Sequence, residues 1–198
     1  MSFRIFKTDI TMSPLFVALL CILLLVDTTG LMISGLVCAI LHESGHLCIM
    51  RICGVGVRKI VFYPCGIDIR REKSKTSYIN DFLISAGGCI ANIVTACICY
   101  PFLKNEYVLS VFISSIALCI FNLLPIKGLD GEQAVKYLLL MKFSPNTVSS
   151  ITSAISLSFV IVLFVLSVCS IILYNISPLI LICGIYLLII TIMQIRLK

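Results

Sequence analysis

The chain has 198 residues, of which 60% are hydrophobic and only 12% charged, with a formal net charge of +6 and a mean hydropathy of +1.16. These values exclude a soluble globular domain, because so small a share of charged side chains cannot cover so large an apolar one. The composition is that of an integral membrane protein, in which an excess of Lys and Arg reports orientation rather than affinity for nucleic acid.

A hydrocarbon core about 30 Å thick needs roughly 20 apolar residues per helix. Six runs of suitable character lie at 10–26, 31–50, 82–103, 108–126, 151–173 and 178–195. The expected fold is therefore an all-α polytopic membrane protein with six transmembrane helices, read as a single domain over 1–198. The first run follows Arg4 and Lys7, as the core of a signal peptide would. No small-x-small cleavage site comes after it, and Asp27-Thr28-Thr29 leads directly into the next run, so it reads as a retained helix. Placing both termini in the cytoplasm puts fourteen of the fifteen Lys and Arg residues on that side and leaves Lys104 outside. The positive-inside rule thus predicts a multi-pass protein with cytoplasmic termini.

The second run contains His42-Glu43-Ser44-Gly45-His46, and these are the two histidines of the chain. Residues four apart share a helix face, so the two imidazoles can bind one Zn²⁺ while Glu43 stands beside them as a base toward water. Ionisable groups at bilayer depth are costly, which makes this cluster a candidate functional site. Between 54 and 80 come two segments of high β-propensity, 57–63 and 67–70, separated by Pro64-Cys65-Gly66. They predict a short strand pair at the cytoplasmic membrane surface between the second and third helices. Its edge is open to two readings, a pairing site for an extended peptide or a solvated basic loop.

The third run carries Ser85-Ala86-Gly87-Gly88-Cys89-Ile90-Ala91-Asn92. The small residues permit close helix packing, and Asn92 must find a polar partner, either on a neighbouring helix or on a substrate. Ser114 and Ser115 in the fourth run read as packing residues of the same kind. That run ends in Phe121-Asn122-Leu123-Leu124-Pro125-Ile126-Lys127-Gly128-Leu129-Asp130-Gly131, where proline and glycines break the helix and let the backbone turn back to present Asp130 or Glu132. The last third, 141–198, has almost no ionisable residues and reads as packing or gating helices, with no soluble domain expected after it. Most of the eleven cysteines sit inside the spans, where cysteine behaves as a small apolar residue, so no disulfide framework or thiolate metal site is expected.

A catalytic zinc takes three protein ligands and keeps one position open. With His42 and His46 as two, the third comes from Asp27, Asp68, Glu72, Asp130 or Glu132. Asp130 fits best in depth, because the second helix runs outward to inward and carries its histidines in the cytoplasmic half.

His42-Glu43-x-x-His46 in one span, Gly88-x-x-x-Asn92 in the next, and Asn122-Leu-Leu-Pro followed by Leu129-Asp130-Gly131 together resemble the site-2 protease family of intramembrane zinc metalloproteases. With six spans and a short amino-terminal segment, the chain looks most like the stage IV sporulation subgroup, whose known member processes a membrane-associated pro-sigma factor. The resemblance implies one Zn²⁺ per chain held by His42, His46 and Asp130, with Glu43 as general base and Asn92 positioning the substrate or stabilising the oxyanion. It also implies a bacterial cell membrane, a membrane-embedded or membrane-associated protein substrate, a membrane-bound regulator, and no nucleic-acid partner. Gly87-Gly88 stands where the family often has Gly-Pro. The PDZ and nucleotide-sensing domains of some members have no counterpart in the chain. A metal-ion transporter or an inactive metal-binding membrane protein is the competing reading. A transit path needs several polar stations, which spans five and six do not offer, and a binding site alone has no use for Glu43.

Overall fold

The computed structural model describes residues 2–5, 8–27, 29–63, 66–72, 76–174, 184–185, 187–189 and 191–193. They fall into two compact units, Met1–Phe121 and Asn122–Lys198.

In the first unit, strand β1 (Ser2–Ile5) pairs antiparallel with β2 (Thr8–Met12), and Pro14 then opens helix α1 (Pro14–Val26). Proline suits this position, since its fixed φ is helical and its missing N–H has no partner there. Helix α2 (Leu31–Ile52) returns the chain to β3 (Val57–Tyr63), which pairs with β4 (Gly66–Arg71) before α3 (Tyr78–Cys99) and α4 (Glu106–Asn122). The expected strand pair is present as β3 and β4, but it belongs to a four-stranded sheet of order β1-β2-β3-β4. β2 runs parallel to β3, with Asp9 opposite Lys59 and Met12 opposite Phe62. Parallel neighbours need a long crossover, which α1 and α2 provide.

The junctions around α2 are built in detail. At its start, Asp27 accepts hydrogen bonds from the backbone N–H groups of Met32 (3.0 Å) and Ile33 (3.1 Å). Desolvation pulls the Asp27 carboxyl upward, but the N–H groups of Ile33, Thr29 and Gly30 outweigh it and hold the group below the usual carboxylate range. At its end, Gly54 adopts φ +70°. The N–H of Val55 returns to Met50 O (2.8 Å) and that of Gly54 to Arg51 O (3.1 Å), a Schellman closure that only a residue tolerant of the left-handed region makes cheaply. Helix α3 is anchored by Ser77, which caps Asn80 N at 3.2 Å. The Asp81 carboxylate is held by Arg71 at the end of β4 and by Thr76 Oγ1 at 3.0 Å.

Among the described residues three helical segments are long and apolar enough to cross a membrane: Leu31–Ile52, Tyr78–Phe102 and Pro145–Leu173. The apolar helices α1 and α4 have 13 and 17 residues, about 20 and 26 Å at 1.5 Å per residue. The run expected at 10–26 is part strand and part helix, and most of the run at 178–195 lies outside the described residues.

The second unit contains α5 (Asp130–Leu140) and α6 (Pro145–Tyr174). Between Asn122 and α5 the chain leaves helical geometry, with Gly128 at φ +96°. Ser156 Oγ of α6 donates to Pro125 O at 2.9 Å and ties this connection down. Residue 131 must be glycine, because a Cβ there would collide with the backbone of Leu123 and Leu124.

The core of the first unit is the contact between α2 and α3. The buried residues of α2 are Ser34, Cys38, His42, His46 and Met50, each four after the last, so they form one stripe. A Cβ on Gly45 would collide with the Gly87 carbonyl, and a Cβ on Gly87 would lie 2.9 Å from Gly45 O. The two backbones touch at these glycines. Gly45→Val is therefore expected to destabilise the protein by about 3 kcal/mol, the upper end of overpacking costs, read as a lowered thermal midpoint in detergent. Gly35, with nothing among the described residues within 4 Å of its Cβ position, supplies the control, and Gly35→Ala should leave the midpoint unchanged or raise it.

Candidate metal centre

A histidine ring in a helix reaches back over the preceding turn, so His42 and His46 extend side by side along the buried stripe of α2. Their solvent exposure is 4% and 9%. The rings are nearly perpendicular at 81°, and their Nε2 atoms lie 3.3 Å apart. Tetrahedral zinc with Zn–N bonds of about 2.0–2.1 Å sets two ligand nitrogens about 3.3–3.4 Å from each other. The spacing of the imidazole pair fits such an ion.

Helix α3 contributes one face to this pair through Ile84, Gly88 and Asn92, which recur every four residues. The carbonyl oxygen of Ile84 is 2.7 Å from His46 Nδ1. A carbonyl only accepts, so this nitrogen carries the proton and the Nε2 of His46 keeps its lone pair. Gly88 faces both Nε2 atoms. A Cβ at this position would fall on them, only 2.5 Å from that of His46. The absence of a side chain at residue 88 therefore keeps open the space into which both nitrogens point. At the third position, Asn92 Nδ2 lies 3.0 Å from His42 Nδ1.

Glu43 follows His42 on α2 and is half-buried, outside the buried stripe. Asp130 is the first residue of α5, also half-buried. It opens a helical turn, whereas the sequence suggested a flexible glycine-flanked turn. The N-cap residue before it, Leu129, has extended backbone and no side-chain cap. His42 and His46 offer two imidazole nitrogens able to bind a metal ion. Imidazole donors suit a borderline divalent ion such as Zn²⁺.

The other carboxylates weighed as third ligand are placed differently. Asp27 is engaged at the start of α2, about 15 Å of helix away from His42. Glu72 packs its carboxylate against Gly56, with its N–H on Gly56 O at 2.9 Å. Asp68 lies in β4, and Glu132 in the first turn of α5. Sequence reasoning missed Ile84 and the role of Gly88. Both lie in phase with Asn92, eight and four residues before it, and that phase was the available signal.

No family model and no curated protein matches the chain. Among solved structures it is similar to the Site-2 Protease from Methanocaldococcus jannaschii, with a TM-score of 0.71 and 17% sequence identity over 99% of this chain and 96% of that one. At this identity the likeness is one of fold.

Because Gly88 guards the space in front of both Nε2 atoms, Gly88→Val is expected to abolish metal retention. Elemental analysis of the purified protein should show less than about a tenth of the wild-type metal content, an order-of-magnitude loss consistent with disrupting the site's supporting shell. Equal content in the two proteins would show that the ion does not sit there.

Proposed function

We propose that this chain is an intramembrane zinc endopeptidase in which His42, His46 and Asp130 hold the metal and Glu43 is the general base. The observation that carries the reading is the pair of imidazole nitrogens 3.3 Å apart, aimed into the space left by Gly88. The fold, similar to that of a site-2 protease, supports it as well.

When bound, Zn²⁺ supplies Lewis acidity toward a water molecule and toward the carbonyl of the scissile peptide. Glu43 takes a proton from the attacking water as its oxygen bonds to the carbonyl carbon. The same carboxyl then delivers that proton to the amide nitrogen as the C–N bond breaks, so one side chain serves first as base and then as acid. His46, with Nδ1–H fixed on Ile84 O, keeps its ligand nitrogen in one orientation. The apolar outer faces of the helices keep bulk water away, which leaves hydrolysis confined to this one polar station.

A helix this apolar suits a substrate that is itself embedded in or docked on the membrane, cut near the cytoplasmic face, in a bacterial cell membrane that holds both termini of the enzyme inside. A membrane-associated pro-sigma factor is the substrate that the resemblance of the motifs suggests.

The test compares wild type, Glu43→Gln and Asp130→Ala in detergent, by metal content and by cleavage of single-span substrates. Glu43→Gln should keep about one zinc and lose cleavage by about 10²–10⁴-fold, the usual worth of a general base. Asp130→Ala should lose most of the zinc. Cleavage by Glu43→Gln at the wild-type rate, or wild type without zinc, would sink the reading. A chelator should abolish wild-type cleavage, and added Zn²⁺ should restore it.

A further inference from the structure

Asn92 is completely buried, at 0% exposure. The amide nitrogen faces His42 Nδ1 at 3.0 Å, while the amide oxygen has no hydrogen-bond partner among the described residues. A buried amide oxygen without a donor is unfavourable, so the arrangement calls for an explanation. An amide N–H pointing at Nδ1 makes that nitrogen an acceptor and places the ring proton of His42 on Nε2. There it points at His46 Nε2, 3.3 Å away. His46 can accept it, because its own proton is on Nδ1 and is given to Ile84 O. Donors thus run in one direction from Asn92 through both rings to the backbone of α3.

Binding a metal through the two Nε2 atoms requires the other tautomer of His42, with its proton on Nδ1. That proton would meet the N–H of Asn92 head on. A half-turn about the terminal carbon–carbon bond of Asn92 exchanges oxygen and nitrogen within the same volume. It brings Oδ1 onto Nδ1–H and moves no other group.

We propose that Asn92 is a positioning residue for the metal centre: its side-chain amide turns to present Oδ1 to the Nδ1–H of His42, fixing the tautomer whose Nε2 faces the metal. The inference rests on the metal-centre reading above and departs from a substrate-contacting role for Asn92. α3 then supplies an acceptor to each ligand from one face, Ile84 O for His46 and Asn92 Oδ1 for His42. A backbone carbonyl cannot exchange roles and a carboxamide can, so His46 is preset and His42 is switched. Partners of this kind typically change metal affinity by about 10–100-fold.

The experiment uses the whole chain in detergent, labelled with ¹⁵N-histidine, whose two histidines give two ring spin systems. Wild type, Asn92→Leu and Asn92→Asp are compared, with and without Zn²⁺. Zinc should move the His42 proton from Nε2 to Nδ1 while His46 keeps Nδ1–H. Chelator competition should show Asn92→Leu binding zinc about 10–100-fold more weakly. Asn92→Asp, whose carboxylate can accept Nδ1–H, should recover wild-type affinity and the same visible spectrum when Co²⁺ replaces zinc.

The proposal is overturned if zinc-loaded His42 is ligated through Nδ1. It is also overturned if Asn92→Leu binds zinc as tightly as wild type and changes only KM, which would assign Asn92 to the substrate. Should Asn92→Leu fail to fold, the wild-type spectra and Asn92→Asp decide. A wild type that binds no zinc removes the metal-centre reading itself, and is thereby distinguished from a failure of Asn92 alone.

Discussion

The contact of two helix backbones at Gly45 and Gly87 is the constraint on which the rest of the first unit depends. Lipid gives helices no hydrophobic reason to associate, so α2 and α3 must gain their attraction from close packing and polar contacts. Glycine on both sides lets main chain meet main chain. His46 follows Gly45 and Gly88 follows Gly87, so the point of closest approach also sets the histidines against α3. One more methyl group on either glycine would part the helices and with them the ring nitrogens and their partners.

The sheet and its connections hold that crossing in register. The Schellman closure at Gly54 turns α2 into β3, and Arg71 at the end of β4 holds Asp81 in the first turn of α3. Asp81, Ser85, Gly88, Asn92 and Ala96 are all buried. Fixing the first turn of α3 therefore fixes the rotation that brings Ile84, Gly88 and Asn92 toward the rings. A short surface sheet thus governs the geometry of a site several helical turns away.

The inner faces of these helices are small and polar, and the outer faces are large and apolar. Ser34 donates to Gly30 O, Ser85 to Asp81 O and Ser115 meets Cys38 Sγ. On α6, Val148, Thr152, Ser156 and Val160 form a buried stripe at four-residue spacing. Thr152 Oγ1 donates to Ser149 O and Ser156 Oγ to Pro125 O, acceptors close at hand as hydrocarbon demands. The non-helical stretch before α5 obeys the same rule, since Ser156 reaches Pro125 O and Gly131 packs on the backbone of Leu123. That stretch positions Asp130 at the start of a helix of the second unit.

The sequence by itself determined the membrane class, the strand pair at 57–63 and 67–70, the apolar runs that overlap α2, α3 and α6, and the two histidines with Glu43 between them. Hydropathy and the four-residue repeat are local properties, and local properties can be read along a chain. Strands β1 and β2 escaped, because β2 is made by pairing with β3, fifty residues later in register. Helix α5 escaped because its short polar face carries no long apolar signal. Asp130 stood among five carboxylates as the one that fits best in depth, and the backbone partners that engage Asp27 and Glu72 belong to the tertiary structure. The tautomer of each histidine, the partner of Asn92 and the empty space at Gly88 belong to the tertiary structure alone. They depend on which atoms of α3 meet which ring nitrogens of α2, and helix spacing within one segment holds no information about the rotation of another.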